Sequence, residues 1–154
     1  MKKIYFILTM FFLLFASNIY GQTVTIRPSS SVGYCSADDI NGLCHATGLK
    51  ILLMANEFQR YGVKIDYNNI FDNMSTGLFI EQVVFNHFNM GIGTIGYINT
   101  KQEGENPFAL YSHLGFEYNF NESFVLLVAY QSEFIFRKIF TTYNALLLEV
   151  GLKL

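Results

Sequence analysis

Large apolar side chains occupy every second position near the C-terminus of the chain. The aliphatic residues Leu146, Leu148, Val150, Leu152 and Leu154 fall on one face, and mostly small or charged residues stand between them. Successive side chains of a β-strand point to opposite faces, so a period of two predicts a strand with one apolar face. The same period recurs in the two preceding segments, and it predicts an all-β fold.

Eight segments of the chain follow this period. The pattern is less regular in the first half, where residues 49–56 are apolar on both faces and are compatible with a short helix. The pair Gln82-Val83 favours a bulge that exchanges the two faces, and Pro28 interrupts the first segment. The predicted strands are 23–34, 48–57, 60–69, 77–86, 89–99, 107–119, 122–136 and 143–154.

Short and long connections alternate between these segments. Tight turns follow strands two, four and six, whereas longer connections follow strands one, three, five and seven. This asymmetry is typical of a transmembrane barrel with short periplasmic turns and longer extracellular loops. Tilted strands of about 9–13 residues are long enough to cross the apolar core of a bilayer. The longer connections are predicted at 35–47, 69–76, 100–106 and 137–142.

The first 21 residues have the layout of a secretory signal peptide. A short basic start precedes an apolar core at residues 4–16, and a small polar stretch ends at Gly21. The apolar core is too short for a transmembrane helix. We therefore predict a signal peptide at 1–21, cleaved after Gly21, and a β-barrel domain at 22–154. Removing it from the 154 residues leaves 133, with eight basic and 12 acidic residues and a net charge of −4.

The composition excludes several classes of protein. Only 14% of the residues are charged, whereas soluble domains carry about 25%. A hydrophobic share of 51% is incompatible with intrinsic disorder. The formal net charge of −2 provides no basic excess for holding phosphates, so no nucleic acid partner is predicted.

The mixed face of the strands indicates which side is inside. It holds one glutamate on each of four strands, and a water-exposed face would be expected to carry more lysine and more charge overall. A membrane barrel turns its apolar face outward, while a soluble lipocalin-like barrel turns it inward. We predict an eight-stranded antiparallel up-and-down transmembrane β-barrel, with a soluble periplasmic barrel or sandwich as the alternative. Aromatic residues near the strand ends fit the girdles of a membrane barrel: Phe108, Tyr118, Phe120, Phe124, Tyr130 and Phe136.

Two segments resemble a known group of proteins. Residues 115–124 resemble the strand–turn–strand repeat of small eight-stranded bacterial outer membrane β-barrel proteins, and residues 146–154 resemble their terminal assembly strand. That family usually ends in an aromatic residue, whereas this chain ends in Leu154. The resemblance covers 77–154. It implies a location in the outer membrane of a Gram-negative bacterium, contact with outer membrane lipid, and recognition of the C-terminal strand by the barrel-assembly machinery.

The polar residues of the inward face form the first candidate site. We predict an interior polar network of Glu81, His113, Glu117, Glu133, Glu149 and Lys153. Lys153 and Arg27 would compensate the acids, because unpaired buried charges are costly.

Two cysteines form the second candidate site. Cys35 and Cys44 lie in the first long connection of an exported chain, which predicts a disulfide. A metal site formed with Asp38, Asp39 and His45 is one alternative, although the spacing matches no familiar zinc pattern, and two free thiols are the other. Neither a metal nor a cofactor is predicted.

The sequence favours a structural or surface-interaction protein with a packed interior that is not a porin channel. Ser112, His113 and Glu117 suggest a competing function, because a Ser–His–acid set can activate a hydroxyl for acyl transfer on lipid. Alternation places Ser112 on the opposite face from His113 and Glu117, which argues against catalysis. A soluble periplasmic barrel that binds an apolar ligand is the third possibility, and the sequence leaves the oligomeric state open.

Overall fold

The chain closes into a single antiparallel β-barrel. The computed structural model describes residues 23–36, 41–69, 73–98, 107–136 and 140–154. Eight strands pair in sequence order, and the last pairs with the first. They are β1 (Val24–Ser36), β2 (Asn41–Met54), β3 (Gln59–Asn68), β4 (Asn73–Val84), β5 (Phe88–Ile98), β6 (Phe108–Asn119), β7 (Phe124–Phe136) and β8 (Thr141–Lys153). The prediction of an eight-stranded antiparallel up-and-down barrel is confirmed.

The barrel has a turn end and a loop end. Residues 55–58, 85–87 and 120–123 connect strands at the turn end, where Leu154 also pairs with Val24 through reciprocal backbone hydrogen bonds of 2.8 and 3.3 Å. The opposite ends of the strands, at Ser36, Asn41, Asn68 and Asn73 for the first four, define the loop end. The predicted signal peptide, 1–21, lies outside the described residues and stays a prediction. The described ranges contain no helix that is long and apolar enough to cross a membrane.

Four strands, β1, β2, β4 and β8, extend further toward the loop end than the sequence predicted. β1 and β2 pair without interruption from Val24↔Leu53 to Ser36↔Asn41, although a connection was expected at 35–47. β4 likewise begins at Asn73 instead of 77. Polar residues occur at both inward and outward positions of these segments, so the sequence does not reveal that the strands continue. The contrast between short and long connections is therefore smaller than predicted.

Two local expectations are wrong: the short helix at 49–56 and the bulge at Gln82-Val83. β2 is a strand throughout and contains no helix, with Leu52 buried on the inner face. The bulge expected at Gln82-Val83 is absent, because these residues pair regularly with Met90 and Asn89. Val83 is an apolar residue of the inner face, and that position gave the false impression of a change of face.

Pro28 marks a gap in the seam where the barrel closes. The β1–β8 ladder passes from Ile26↔Leu152 to Ser29↔Glu149 and omits Arg27 and Pro28. Proline has no N–H to donate to a ladder, so an interruption at this position follows from its chemistry. β1 remains paired with β2 over the same residues.

The outer surface is apolar and the interior is charged. Large side chains such as Ile92 (67% exposed) and Phe116 (68% exposed) project outward between the two ends. None of the described charged side chains projects from the outer face of a strand. This distribution is the reverse of the one in soluble proteins, where charged residues are rarely buried. The buried charged residues are Arg27, Lys50, Arg60, Lys64, Asp66, Glu81, Glu117, Glu133 and Glu149.

Aromatic side chains encircle the outer face near both ends. At the turn end, Phe88 contacts Phe116 with ring centroids 5.8 Å apart. At the loop end, Phe136 contacts both Phe108 (6.2 Å) and Phe140 (5.8 Å). The six aromatic residues expected at strand ends are all exposed. Two such belts bounding an apolar band are characteristic of transmembrane barrels.

Substitution of an outer-face residue by arginine tests this polarity. Val128 projects outward from the middle of β7, between Phe116 and Leu148. We expect Val128→Arg to lower the free energy of unfolding by about 2–4 kcal/mol, because the charge would face hydrocarbon at mid-depth. The measurement is a urea titration of the barrel refolded in phospholipid vesicles.

The matched control is Leu43→Arg, at an outward position near the loop end that is 81% exposed. It should cost only about 0–1 kcal/mol, because this position lies near the interface. Equal costs at both positions would show that the outer face does not contact hydrocarbon.

Candidate functional site

Arg27 joins four strands across the barrel interior. The guanidinium is fully buried, with Nη1 3.1 Å from Glu81 Oε2 and Nη2 3.0 Å from Glu117 Oε2. Nη1 also lies 3.6 Å from Glu149 Oε2. Gly151 leaves room for this side chain, since an added Cβ there would be 2.8 Å from Arg27 Cγ. One residue of β1 thereby contacts β4, β6 and β8 at once.

Arg60 and Lys50 complete the central group of charges. Arg60 binds Glu117 with two contacts, Nη1 to Oε2 at 2.5 Å and Nη2 to Oε1 at 2.7 Å. Lys50 forms an ion pair with Glu149, and its Nζ lies 3.9 Å from Glu81 Oε1. Paired hydrogen bonds between a guanidinium and a carboxylate are among the strongest and most directional in proteins. The three central glutamates therefore each have a basic partner.

A second group of charges lies closer to the loop end. Lys64 Nζ is 2.7 Å from Asp66 Oδ2 and 3.2 Å from Glu133 Oε1. Glu133 also accepts hydrogen bonds from Gln131 Nε2 at 2.6 Å and from the Tyr97 hydroxyl. Lys64 Nζ lies 4.3 Å from the centroid of the Tyr111 ring, a distance at which the aromatic face attracts a cation.

A hydrogen-bonded chain of neutral groups connects Lys50 to Glu117 within the central group of charges. Lys50 Nζ donates to the Tyr111 hydroxyl at 2.9 Å, which leaves that hydroxyl to donate to His113 Nδ1, also at 2.9 Å. His113 Nε2 then donates to Asn89 Oδ1 at 2.8 Å, and Asn89 Nδ2 donates to Glu117 Oε2 at 2.8 Å. Only a neutral histidine with its proton on Nε2 satisfies this set of partners.

Glycine on the neighbouring strand makes space for the histidine ring. An added Cβ at Gly91 would lie 2.2 Å from Cε1 of His113, far inside a van der Waals contact. The backbone of β5 therefore forms one wall against the imidazole. A larger residue at this position would displace His113 from both of its hydrogen-bond partners.

The hydrolase arrangement considered from the sequence is not assembled. Ser112 lies on the outer face of β6, half-buried, while His113 lies inside. Both ring nitrogens of His113 bond to Tyr111 and Asn89, and Glu117 is held by Arg60, Arg27 and Asn89. His113 and Glu117 thus meet only through an amide, and the hydroxyl beside His113 belongs to Tyr111 and not to a serine.

Five of the six residues expected in the interior network lie together in the lumen. Glu81, His113, Glu117, Glu133 and Glu149 are all buried and bonded as described above. Lys153 lies apart at the turn end, where its Nζ donates to Asn119 Oδ1 at 2.6 Å. The sequence identified Arg27 as a compensating base but did not assign Lys50, Arg60 or Lys64.

The alternation of apolar and polar residues in the sequence indicated that one of these bases, Lys64, faces inward. Lys64 and Asp66 stand between Val63, Ile65 and Tyr67 on β3, which places both on the inner face. Lys50 carried no comparable signal, because β2 is apolar on both faces around it. Four buried bases face five buried acids in the described residues, and such near-neutrality is what burial of charge requires.

Cys35 and Cys44 lie on adjacent paired strands at the loop end. Both are buried, and they come within 2.6 Å of each other. The sequence placed them in a connection, but they belong to β1 and β2, opposite Gly42 and Gly33. An S–S bond is about 2.0 Å long, so the structure brings the two residues together without defining the bond.

The structure does not assemble the alternative metal site from its described members. Asp38 and Asp39 lie outside the described residues. His45 is exposed on the outer face of β2, while the neighbouring Cys44 points inward. Across the described part of the chain, no group of three or more His, Cys, Asp or Glu residues could hold a metal ion.

Comparisons with known proteins agree on the fold. No protein-family model and no curated protein matches the chain. Neisserial surface protein A matches with a TM-score of 0.64 and 10% identity, over 85% of this chain and 97% of that chain. The N-terminal β-barrel domain of Pseudomonas aeruginosa OprF matches with a TM-score of 0.59 and 14% identity, over 86% and 97%. Ail, the attachment invasion locus protein of Yersinia pestis, matches with a TM-score of 0.54 and 13% identity, over 86% and 99%.

The fold is therefore that of the small eight-stranded outer membrane barrels, as the sequence resemblance implied. The apolar outer face and the charged interior agree with this class, because a membrane barrel exposes its apolar side chains to lipid. The structure accordingly defines a transmembrane-type β-barrel whose interior is filled by ion pairs.

Removal of Arg27 tests the central group of charges. Arg27→Met would leave Glu81, Glu117 and Glu149 short of a buried cation. We expect the free energy of unfolding to fall by about 3–5 kcal/mol, because breaking a buried pair leaves uncompensated charge. Urea titration of the vesicle-embedded barrel gives the value.

Lys153→Met is the control, since it removes a base at the partly exposed rim and should cost less than about 1 kcal/mol. Adding Glu81→Gln to Arg27→Met should recover part of the loss, because it removes one of the orphaned charges. Equal stability of the Arg27→Met and Lys153→Met variants would contradict a central role for Arg27.

Proposed function

We propose that this chain is an integral outer membrane protein of a Gram-negative bacterium with a structural or surface-interaction role. The observation that supports this most directly is the reversed polarity of the barrel: the described strands carry no outward charge, while nine charged side chains are buried inside. Such a molecule presents an apolar outer surface that suits hydrocarbon and keeps its charged side chains in a polar interior. The turn end would face the periplasm, and the loop end would face the exterior.

A packed interior supports a role other than that of a diffusion channel. Side chains fill the lumen of an eight-stranded barrel, unlike the wider barrels of porins. Here Arg27, Lys50 and Arg60 reach across the lumen and bind acids on other strands. A wide aqueous path would require these ion pairs to separate. The surface at the loop end is therefore the part of the barrel proposed to interact with partners outside the cell.

Two partners are proposed, one for the outer surface of the barrel and one for its last strand. Outer membrane lipid would contact the apolar band between the aromatic belts. The barrel-assembly machinery would recognise β8, whose outward residues include Leu148, Val150 and Leu152. This strand pairs with β1 to close the barrel, so it is also the edge that is free until closure occurs.

Membrane fractionation with heat-dependent gel migration tests the proposal. We expect the full chain to stay in the outer membrane fraction after a high-salt and carbonate wash and to require detergent for release. The folded barrel should migrate faster than the boiled chain on a gel, because the closed barrel resists unfolding by detergent without heat. A protein that stays soluble without detergent would contradict the membrane role.

The soluble alternative has a distinct readout in the same experiment. Detergent-free protein that takes up an apolar fluorescent ligand would identify a soluble periplasmic binder. Val128→Arg serves as the control for membrane insertion, because it should reduce the folded, membrane-bound fraction without affecting secretion.

We further propose that Cys35 and Cys44 form a disulfide in the exported protein. Their burial on adjacent strands and their 2.6 Å approach support this pairing. Formation of the bond removes two protons and two electrons from the thiols, and a protein disulfide oxidant of the cell envelope would accept the electrons by thiol–disulfide exchange. The bond would join β1 to β2 at the loop end.

Thiol alkylation after denaturation tests this pairing. We expect maleimide to modify the unfolded chain only after reduction, with two additions by mass spectrometry. Cys44→Ser should react once without any reductant, which confirms that the reagent reaches Cys35. Two additions to the unreduced wild-type chain would contradict the disulfide.

A further inference from the structure

The turn between β4 and β5 exposes a phenylalanine in an unfavourable backbone conformation. Phe85 and Asn86 have φ angles of 52° and 64°, in the left-handed region. Asparagine tolerates that region, whereas large side chains rarely adopt it. The Phe85 side chain is 89% exposed, more than any other large apolar side chain of the described residues. The fold itself gains little from phenylalanine here, so the ring is available to something outside the chain.

The other two turns described at this end are built differently. Asn56 and Asn121 organise them by accepting hydrogen bonds of 2.8–2.9 Å from backbone N–H groups. Those turns expose Phe58 and Phe120, and neither of them contains a left-handed residue. The turn at Phe85 is therefore distinguished by its backbone and by the surface that it borders.

Phe85 borders an open groove on the outer face of the barrel. The groove has a volume of about 410 Å³, and it is lined by Phe85, His87, Phe88 and Phe116. Phe88 and Phe116 form one wall as an edge-to-face pair, with ring centroids 5.8 Å apart. The lining is almost entirely apolar, so the groove suits an apolar occupant.

Hydrogen bonds to β6 hold another wall of the groove in place. The Glu117 N–H donates to the His87 carbonyl at 2.6 Å, and His87 Nδ1 donates to the Glu117 carbonyl at 3.3 Å. The imidazole also stacks on the Tyr118 ring, with centroids 6.4 Å apart and planes inclined by 19°. These walls are formed before any occupant arrives, which lowers the entropic cost of binding.

The groove is continuous with the apolar band of the barrel. Phe88 and Phe116 pair across β5 and β6, and Met90 and Leu114 are the next outward pair along the same strands. Both Met90 and Leu114 are exposed. One end of the groove therefore opens onto the surface that faces hydrocarbon, and the other end reaches the turn, at the level of the aromatic belt and the lipid headgroups.

A lipid acyl chain is the occupant that fits this position. It has no hydrogen-bonding groups, it is flexible enough to follow the walls, and it is already present along the band. A protein partner would have to place an apolar segment among the headgroups to reach the groove. The turn 85–87 carries no aspartate, glutamate, lysine or arginine that would attract a polar partner.

We propose that the groove bordered by Phe85 binds one acyl chain of a phospholipid in the leaflet at the turn end. This inference rests on the proposed membrane role. The Phe85 ring contacts the chain from the turn side, and Phe88 and Phe116 contact it from the strand side. Burial of the Phe85 ring against the chain compensates for its left-handed backbone.

Native mass spectrometry tests this site on the chain refolded in vesicles of phosphatidylethanolamine and phosphatidylglycerol and extracted in a mild detergent. We expect the wild-type barrel to retain one phospholipid. Phe85→Asn should lower the retained fraction about tenfold, because it removes one aromatic wall. Asparagine adopts the left-handed region, so the turn itself is kept.

Phe120→Asn is the matched control, because it removes an exposed phenylalanine from another turn and leaves the groove intact. It should retain the lipid at the wild-type level. Equal retention by the Phe85→Asn variant and the wild-type chain would overturn the proposal, as would equal loss from both variants.

A second substitution separates the apolar contact from the turn conformation. Phe85→Leu keeps an apolar wall and should retain most of the lipid. Phe85→Gly fits a positive φ without strain but provides no wall, so it should lose the lipid as Phe85→Asn does. Loss from Phe85→Leu as complete as that from Phe85→Gly would contradict an apolar contact at this position.

Fluorescence quenching identifies the occupant. The chain contains no tryptophan, so Phe85→Trp places a single reporter at the groove. Phospholipid brominated on its acyl chains should quench the emission in vesicles, and aqueous acrylamide should have little effect. Quenching by acrylamide alone would show that position 85 faces water, and it would overturn the proposal.

Heat-dependent migration of each variant is measured in parallel. It reports whether the barrel is folded in the membrane, independently of the bound lipid. A folded, inserted barrel that retains no phospholipid would overturn the lipid site alone, whereas a chain that never inserts would contradict the membrane role. The two proposals therefore fail separately.

Discussion

The guanidinium of Arg27 holds carboxylates from three other strands, and the interior of the barrel is organised around that contact. A charge inside a narrow barrel has little water around it, so it is tolerated only beside an opposite charge or several hydrogen-bond donors. Arg60 and Lys50 meet this requirement for Glu117 and Glu149. The side chains that fill the narrow lumen must therefore also neutralise one another.

The same constraint explains why so little charge is present elsewhere on the described strands. Alternation gives each strand one face toward the lumen and one toward the surroundings. Once the charges occupy the lumen, the outer face is left to aliphatic and aromatic residues, as at Phe116 and Leu146. The low charge content of the chain thus reflects the solvent of its outer surface.

Much of this architecture was predictable from residue order alone. The period of two located the strands. It also showed that Glu81 and Glu117 lie on the mixed face, which points inward. It failed around Lys50, where apolar residues occupy both faces, and in the loop-end half of β1 and β2, where polar residues occupy both. Only three-dimensional pairing reveals these segments, because the partner strand defines the register there.

The interior contacts could not be predicted in the same way. Alternation shows that Lys64 and Glu133 face inward, but they come from β3 and β7, on opposite sides of the barrel. Which base reaches which acid depends on the strand stagger and on the space left by glycines such as Gly91 and Gly151. Lys153 shares the inward parity, yet its position at the rim gives it Asn119 as a partner.

The gap at Pro28 has a consequence for the order in which the barrel is completed. Beside it, Arg27 lacks ladder partners on β8 and is held through its side chain by residues of β4, β6 and β8. Those residues are all later in the chain, and the last of them belongs to the final strand. β1 is synthesised before the other strands but is the last to acquire its full set of contacts. Arg27 therefore has its full set of carboxylate partners only when the seam is closed, and a chain that lacks its final strand would lack both the seam and the Glu149 contact.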